Sequence, residues 1–112
     1  MIGDYENGTL VLDGVPVRQI AEAVGTPLYL YSGSEMTRAY RAYTEALQGL
    51  NVQICYAIKA NSNVAIIRHF ARQGAGMDVV SDGELQRCQG LANFRFGLSD
   101  PGKDDLVAAD TG

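Results

Sequence analysis

Strand-like and helix-like segments alternate through the second half of the sequence, and this alternation constrains the fold more than any other feature. The stretch "VQICYAIKA" (52–60) is rich in β-formers, and the apolar residues that follow recur at helical spacing. "MDVVS" then predicts a second strand, "DGELQRCQG" a helix and "FRFGLS" a third strand. The alternation predicts an α/β fold in which helices cover a parallel sheet, either an open doubly wound sheet or a barrel.

The helices of this half carry their own start and stop signals. Asn61 or Ser62 is expected to cap a helix from about Val64 to Gln73, and "GAG" closes it. Its expected packing face consists of Ile67, Phe70 and Ala71. The stretch "GKDDLVAAD" (102–110) predicts the start of one more helix.

The first half of the sequence begins with shorter elements. Residues 9–17 predict a strand-turn-strand with "LDG" as the turn, and "PVRQIAEAVG" predicts a helix that Gly25 ends. "TPLYLYS" predicts a strand over 28–31. Ser32 with Glu35 three residues on matches a capping box, and opens a helix expected to end at Gly49. The apolar face of that helix recurs at Met36, Tyr40, Tyr43 and Leu47.

Composition excludes several classes of function. The 112 residues are 46% hydrophobic and carry a formal net charge of −4, which fits one small globular domain and disfavours nucleic-acid binding. The sequence has neither an apolar run of membrane-spanning length nor a secretory signal over residues 1–20, so we expect a cytoplasmic protein. Cys55 and Cys88 lack CxxC spacing and, with His69 the single histidine, predict reduced thiols and no metal site.

Lys59 is the residue that calls for explanation, because it interrupts an apolar run. On an extended strand, Cys55, Ala57 and Lys59 share one face with Gln53, and bulkier residues occupy the other. A buried ammonium group is costly unless it is paired, neutral or used covalently. Ligands of parallel α/β folds gather at the C-terminal ends of strands, so Lys59 stands where such a fold places its chemistry.

Acidic residues end the next two strands. Asp78 lies in "MDVVS", Glu84 in the first turn of the helix that follows, and Ser99 and Asp100 after the third strand. Carboxylates that converge on a strand-end lysine would pair with it or orient its ligand. For Glu84, a simple helix-terminal acid is the competing interpretation, and for Asp78 a functional and a structural role are equally open.

At "YAIKANSN" the sequence resembles the fold-type III pyridoxal-phosphate decarboxylases, the group that holds diaminopimelate, ornithine and biosynthetic arginine decarboxylases. "GTLVLDGVPVRQIAEAVGTPLYLYS" before this stretch and "GAGMDVVSDGEL" after it extend the resemblance, and "GTPLY" favours the diaminopimelate branch. Alanine racemases share the fold and a KAN tripeptide, but they continue it with Tyr-Gly-His, unlike "KANSN". No GxGxxG, P-loop, GxSxG or HExxH pattern occurs in the sequence.

The resemblance implies a cofactor and roles for four residues. Lys59 would carry pyridoxal 5'-phosphate as the Schiff-base lysine, and Ala57 would line the floor beneath the ring. Asp78 would lie near the ring and the lysine, and Glu84 close to the same site. The implied reaction is decarboxylation of meso-2,6-diaminopimelate to L-lysine, so the expected ligand is a small amino acid, with no nucleic-acid or membrane partner.

The resemblance also implies the start of a (β/α)8 TIM-like barrel of the alanine racemase type. Such a barrel takes about 250 residues. Residues 1–31 would form a lead-in segment and residues 32–112 the first part of the barrel, with the later strands and the C-terminal β-domain absent. Because the link between "LQRCQG" and "FRFGLS" looks short, the register of the third strand stays open. The family's homodimer, or self-association through unclosed barrel edges, is the expected assembly.

Two alternatives remain open at this stage. One is a truncated, non-catalytic remnant or interaction module of the same fold. The other is a different fold-type III enzyme, such as an ornithine or arginine decarboxylase or an amino-acid racemase.

Overall fold

The computed structural model describes residues 3–89, together with the backbone of residues 95–98. The chain divides into two compact units, residues 1–39 and residues 40–112. Among the described residues, no helix has the length and apolar character needed to cross a membrane.

The first unit contains a small antiparallel sheet and a helix. Strands β1 (Asp4–Glu6), β2 (Thr9–Leu12) and β3 (Val15–Pro16) pair in sequence order, and helix α1 spans Val17–Val24. The predicted strand-turn-strand and the helix after it are confirmed. β1 was not predicted, although the Asn7–Gly8 turn that joins it to β2 has the Asn-Gly signature of tight hairpins. Asn7 and Gly8 have φ values of 51° and 79°, as that kind of turn requires.

The expected strand over Leu28–Tyr31 is wrong. This segment has no partner strand among the described residues, although its side chains alternate between half-buried leucines and exposed tyrosines. Tyr29 is 89% exposed and Tyr31 is 53% exposed. Alternation alone predicts an extended segment, whereas a strand also needs a neighbour to pair with.

Helix α2 spans Gly33–Ala46 and starts where the sequence predicts. The buried Ser32 side chain accepts a hydrogen bond from the Glu35 backbone N–H at 3.1 Å, which is the expected cap. The Glu35 carboxylate does not complete the capping box but pairs with Arg38, one turn further along the helix. The helix ends at Ala46, before the predicted Gly49, which has a φ of 84° in the turn that follows.

The second unit is a parallel sheet with helical crossovers, so the described part of the chain has an α/β fold. Strands β4 (Cys55–Ala57), β5 (Gly76–Val79) and β6 (Arg95–Leu98) lie side by side in that order. Helix α3 (Val64–Arg72) connects β4 to β5, and helix α4 (Asp82–Cys88) precedes β6. The strand predicted from "FRFGLS" is confirmed over Arg95–Leu98, and β6 pairs in register with β5. The predicted helix over 102–110 lies outside the described residues.

Two boundaries around the lysine differ from expectation. β4 covers only Cys55–Ala57, because the chain turns into a single 3-10 turn over Ile58–Ala60. Asn63, and neither Asn61 nor Ser62, caps helix α3 by accepting from the Ala65 N–H at 2.9 Å. The expected packing face of α3 is confirmed, since Ile67 and Ala71 are buried and Phe70 packs beside them.

The core of this unit lies between the sheet and its helices. The buried residues come from β5, α3, α4 and the 3-10 turn: Ile58, Ile67, Ala71, Ala75, Met77, Val79 and Cys88. Tyr40, Tyr56, Phe70 and Leu85 pack around them. Because Met77 and Val79 fill the helix-covered face of β5, Asp78 between them lies on the opposite face.

Candidate functional site

Lys59 lies just beyond the C-terminal end of β4, in the 3-10 turn. In this turn Ile58 is fully buried, while Lys59 is exposed. The predicted position at a strand end is therefore confirmed, but the assignment of Lys59 to a strand face beside Ala57 is wrong. The premise of a buried lysine is also wrong for the described structure. Within residues 3–89, no side chain hydrogen-bonds or forms an ion pair with the Lys59 amine.

The loop that follows Lys59 is held by several hydrogen bonds. The Tyr56 hydroxyl donates to the Asn61 carbonyl at 2.8 Å, and the Arg87 guanidinium donates to the Ser62 carbonyl at 3.2 Å. Within the loop, the Asn61 side-chain oxygen accepts from the Asn63 N–H at 3.0 Å. Asparagines suit such positions because their short side chains reach nearby backbone groups.

Ala57 and Asp78 are neighbours across the parallel sheet. The register pairs Ala57 with Asp78 and Cys55 with Gly76, so these four residues share the face turned away from the helices. The 3-10 turn that carries Lys59 also contacts β5. Ala57 and Gly76 add little side-chain bulk to this face, on which the Asp78 carboxylate also lies.

Asp78 has an unsatisfied atom at this face. Its Oδ1 is buried and has no hydrogen-bond partner among the described residues. A buried carboxylate oxygen without a partner is costly, and it is an arrangement that recurs where a ligand completes the site.

Glu84 has the structural role that its sequence position predicted, at the start of α4. The Ser81 side chain accepts from the Glu84 backbone N–H at 3.2 Å and donates to Glu84 Oε2 at 3.2 Å, so Glu84 is part of the N-terminal cap of α4. Its other oxygen, Oε1, is buried without a hydrogen-bond partner in the described part of the chain. The structural role is thus present, and one oxygen remains for a ligand.

The charges of Asp78 and Glu84 contribute to the raised pKa values of the two cysteine thiols. Burial, and then the negative charge of Asp78, raises the pKa of Cys55. Burial, and then the charge of Glu84, raises the pKa of Cys88 to about 11. Both cysteines are free thiols in this structure.

The structure therefore brings Ala57, Asp78 and the turn of Lys59 together at one end of the sheet. No hydrogen bond or ion pair joins Lys59 to Asp78 or Glu84 among the described residues. A cavity of about 330 Å³ lies at the opposite end, where the chain enters β4 and β5, and none of the four predicted site residues lines it.

Two residues around Lys59 were missed by the reasoning from sequence. Tyr56 was assigned only to the apolar face of the strand, and Arg87 received no role. The hydroxyl of a tyrosine on a buried face is a signal that a polar partner is needed. Arg87 carried no such signal, because its partner is a backbone carbonyl 25 residues away in sequence.

Comparison with known proteins identifies the family to which this chain is similar. Residues 33–95 match the model of the family described as pyridoxal-dependent decarboxylase, pyridoxal binding domain. The diaminopimelate decarboxylase of Neisseria meningitidis serogroup B is 53% identical over 79 residues, which cover 70% of this chain and 19% of that protein. The Pseudomonas aeruginosa diaminopimelate decarboxylase is 47% identical over 83 residues, 74% of this chain and 20% of that protein.

A solved structure of a diaminopimelate decarboxylase is also similar to this chain. The diaminopimelate decarboxylase of M. jannaschii, in complex with L-lysine, superposes with a TM-score of 0.73 at 32% identity, and the match covers 88% of this chain and 25% of that one. The chain thus spans about a fifth of the length of the curated relatives it matches. Since the family model covers more than half of the chain, this protein belongs to the pyridoxal-dependent decarboxylase family, and residues 33–95 are part of its pyridoxal-binding domain.

Proposed function

We propose that the chain forms the lysine-bearing part of a pyridoxal-phosphate-dependent decarboxylase that converts meso-2,6-diaminopimelate to L-lysine and carbon dioxide. The observation that carries the proposal is the position of Lys59, an exposed amine at the end of β4 within the residues that match the family. The names of the relatives, and the L-lysine bound in one solved structure, support the substrate class.

The face of the sheet turned away from the helices is called the open face, and its residues are Cys55, Ala57, Gly76 and Asp78. These residues fit pyridoxal phosphate. The Lys59 amine has no partner among the described residues and is a suitable nucleophile for an aldehyde. Ala57 and Gly76 provide a flat floor for an aromatic ring. The buried, unpartnered Asp78 Oδ1 is available to a cationic or N–H group of the ligand.

Each of these residues has a distinct part in the proposed reaction. When bound, the cofactor supplies an electron sink for the pair left behind as carbon dioxide departs. Lys59 would hold the cofactor through Nζ, and the same atom would carry a proton to the substrate carbon. Ala57 supports the ring, while the charges of Asp78 and Glu84 orient the groups around the lysine.

We further propose that β4, β5 and β6 are the first strands of a (β/α)8 barrel, with residues 1–31 as a lead-in and residues 32–112 as the beginning of the barrel. The order of the three parallel strands is the order that a barrel requires. We place the protein in the cytoplasm, where the two free thiols stay reduced, and we propose a homo-oligomer as its assembly.

A chimera tests the catalytic part of the proposal. Residues of this chain replace the 79 matched residues of the Neisseria meningitidis relative, and L-lysine formed from meso-2,6-diaminopimelate is measured with added pyridoxal phosphate. We expect an active chimera, and a Lys59→Ala version whose rate falls by at least about a hundredfold, since covalent catalysis is lost. A folded chimera that is no more active than its Lys59→Ala version would show that this segment is a non-catalytic remnant.

A further inference from the structure

The two backbone carbonyls that follow the Lys59 turn each receive a side chain from elsewhere in the fold. The Tyr56 hydroxyl of β4 donates a hydrogen bond to the Asn61 carbonyl, and the Arg87 guanidinium of α4 donates one to the Ser62 carbonyl. These side chains approach consecutive peptide groups from two different elements, and the backbone immediately after Lys59 is therefore held on both sides.

The Tyr56 hydroxyl is directed to the loop by the packing of its ring. The ring stacks on Phe70 of α3, with a centroid distance of 4.7 Å and an interplanar angle of 21°. A stacked ring has little freedom to turn, so the hydroxyl stays 2.8 Å from the Asn61 carbonyl. Tyr56 lies on the helix-covered face of β4 and reaches the Lys59 segment from behind the sheet.

Arg87 fastens the same loop to α4. Its guanidinium donates to the Ser62 carbonyl at 3.2 Å, and α4 is fixed at its start by the Ser81 cap described above. A charge-assisted hydrogen bond from a guanidinium is stronger than one between neutral groups. The helix that follows β5 is thereby linked to the loop that follows β4.

The position of Lys59 depends on its backbone. Within residues 3–89 its amine has no hydrogen-bond or ion-pair partner, and nothing described on the open face fixes the side chain directly. The preceding residues are fixed by pairing of β4 with β5, and the following residues by Tyr56 and Arg87. We propose that Tyr56 and Arg87 are positioning residues that aim Lys59 at the cofactor by holding the carbonyls of Asn61 and Ser62; this rests on the proposed function.

The test compares Tyr56→Phe and Arg87→Ala with matched controls. Tyr56→Phe keeps the stacked ring and removes only the hydroxyl, while Arg87→Ala changes an exposed residue and leaves the core intact. Tyr40→Phe removes a hydroxyl from another ring that contacts Phe70, and Arg72→Ala removes an exposed arginine from α3.

Two reagents separate positioning from simple accessibility. Formaldehyde with cyanoborohydride methylates any accessible deprotonated amine, whereas pyridoxal phosphate with borohydride labels Lys59 faster when the open face holds the ring. The rate of each reaction at Lys59 is measured by mass spectrometry of the peptide, and hydrogen exchange of residues 61–65 is measured without cofactor. For each variant, we expect the ratio of the pyridoxal-phosphate rate to the formaldehyde rate at Lys59 to fall about two- to tenfold, because the loss of one hydrogen bond changes an equilibrium by about that factor. We also expect faster hydrogen exchange in residues 61–65. Both controls should match the parent chain.

The outcomes distinguish this proposal from the proposed function. If the parent chain labels Lys59 selectively and both variants keep the same rate ratio, the function stands and the positioning role is overturned. Faster exchange with an unchanged ratio also overturns it, because the loop would then move without moving the lysine. If the parent chain labels Lys59 no faster than Lys103, both proposals fail together.

Discussion

At the scale of single residues, the pKa of the Cys55 thiol depends on the charge of Asp78. The two side chains share the open face of the sheet, and the charge of Asp78 contributes, after burial, to the raised pKa of Cys55. Removing that charge by Asp78→Asn should lower the pKa of Cys55 toward its ordinary value. At a fixed, mildly alkaline pH, more of the thiol is then thiolate, and alkylation by iodoacetamide should become faster.

Glu84→Gln is the matched control for this change. Glu84 acts on Cys88, whose pKa is about 11, so its neutralisation should leave the pH profile of Cys55 alkylation unchanged. An Asp78→Asn variant with the parent's Cys55 profile would contradict the electrostatic contact between β4 and β5.

The strand-end position of Lys59 could be predicted from sequence more readily than its surroundings. A lone lysine within an apolar run marks the end of β4, whereas Asp78 lies inside β5 and Glu84 in the helix after it. The exposure of Lys59 could not be predicted, because it depends on where β4 gives way to the 3-10 turn. The hydrogen bonds of Tyr56 and Arg87 depend on tertiary packing, which local patterns do not encode.

At the scale of elements, Asp13 ties the β2–β3 turn to the start of α2. Its carboxylate accepts from the hydroxyls of Ser32, at 2.7 Å, and Ser34. The hydrogen bond from Ser34, and then that from Ser32, holds the pKa of Asp13 below its usual value. A lowered folded-state pKa gives stability that is present above the unfolded-state pKa and is lost as the pH falls through the folded-state pKa.

Asp13→Asn therefore predicts a pH-dependent loss of stability. Asparagine tolerates the φ of 50° at this position, so the turn is kept while the charge is removed. We expect the parent chain to exceed the variant in urea midpoint at neutral pH, and the difference to shrink at acid pH, as the pH falls through the lowered folded-state pKa of Asp13. An equal difference in urea midpoint at neutral and acid pH would show that the effect does not come from the Asp13 carboxylate. Ser34→Ala, which removes one of the hydrogen bonds to that carboxylate, should reproduce part of the loss of stability.

Elements with a local cause were the predictable ones. α1, α3 and α4 follow from caps, glycine stops and helical periodicity, and the α2 start follows from Ser32. The strand expected over Leu28–Tyr31 failed because pairing is a property of two segments, and the composition of one segment does not reveal its partner.

At the scale of the whole molecule, the open sheet predicts self-association. In the described part of the chain, β4 pairs with β5 on one side only, and Leu50 and Val52 just before β4 are 62% and 54% exposed. Unpaired strand edges beside apolar surface favour contacts between chains. We expect the average mass in sedimentation equilibrium to rise with protein concentration.

A charged residue near this edge should oppose association. Val52→Lys places an ammonium group next to the start of β4, and we expect it to shift the population toward monomer. Ala65→Lys, on the exposed side of α3, serves as the control for net charge. A monomeric mass that does not change with concentration would contradict the prediction. Barrel closure could not be predicted from residue patterns, since three parallel strands suit an open sheet equally well, and it stays a proposal.

The most direct test of the central claim is the selectivity of Lys59 toward pyridoxal phosphate. The purified chain is incubated with pyridoxal phosphate, reduced with borohydride and digested, and the label is mapped by mass spectrometry. The chain has two lysines, Lys59 and Lys103, so Lys103 and the terminal amine provide internal references. We expect Lys59 to carry most of the label, and we expect unfolding of the chain in urea to remove the preference. Labelling of Lys59 and Lys103 at equal rates, in the folded chain as in urea, would contradict it.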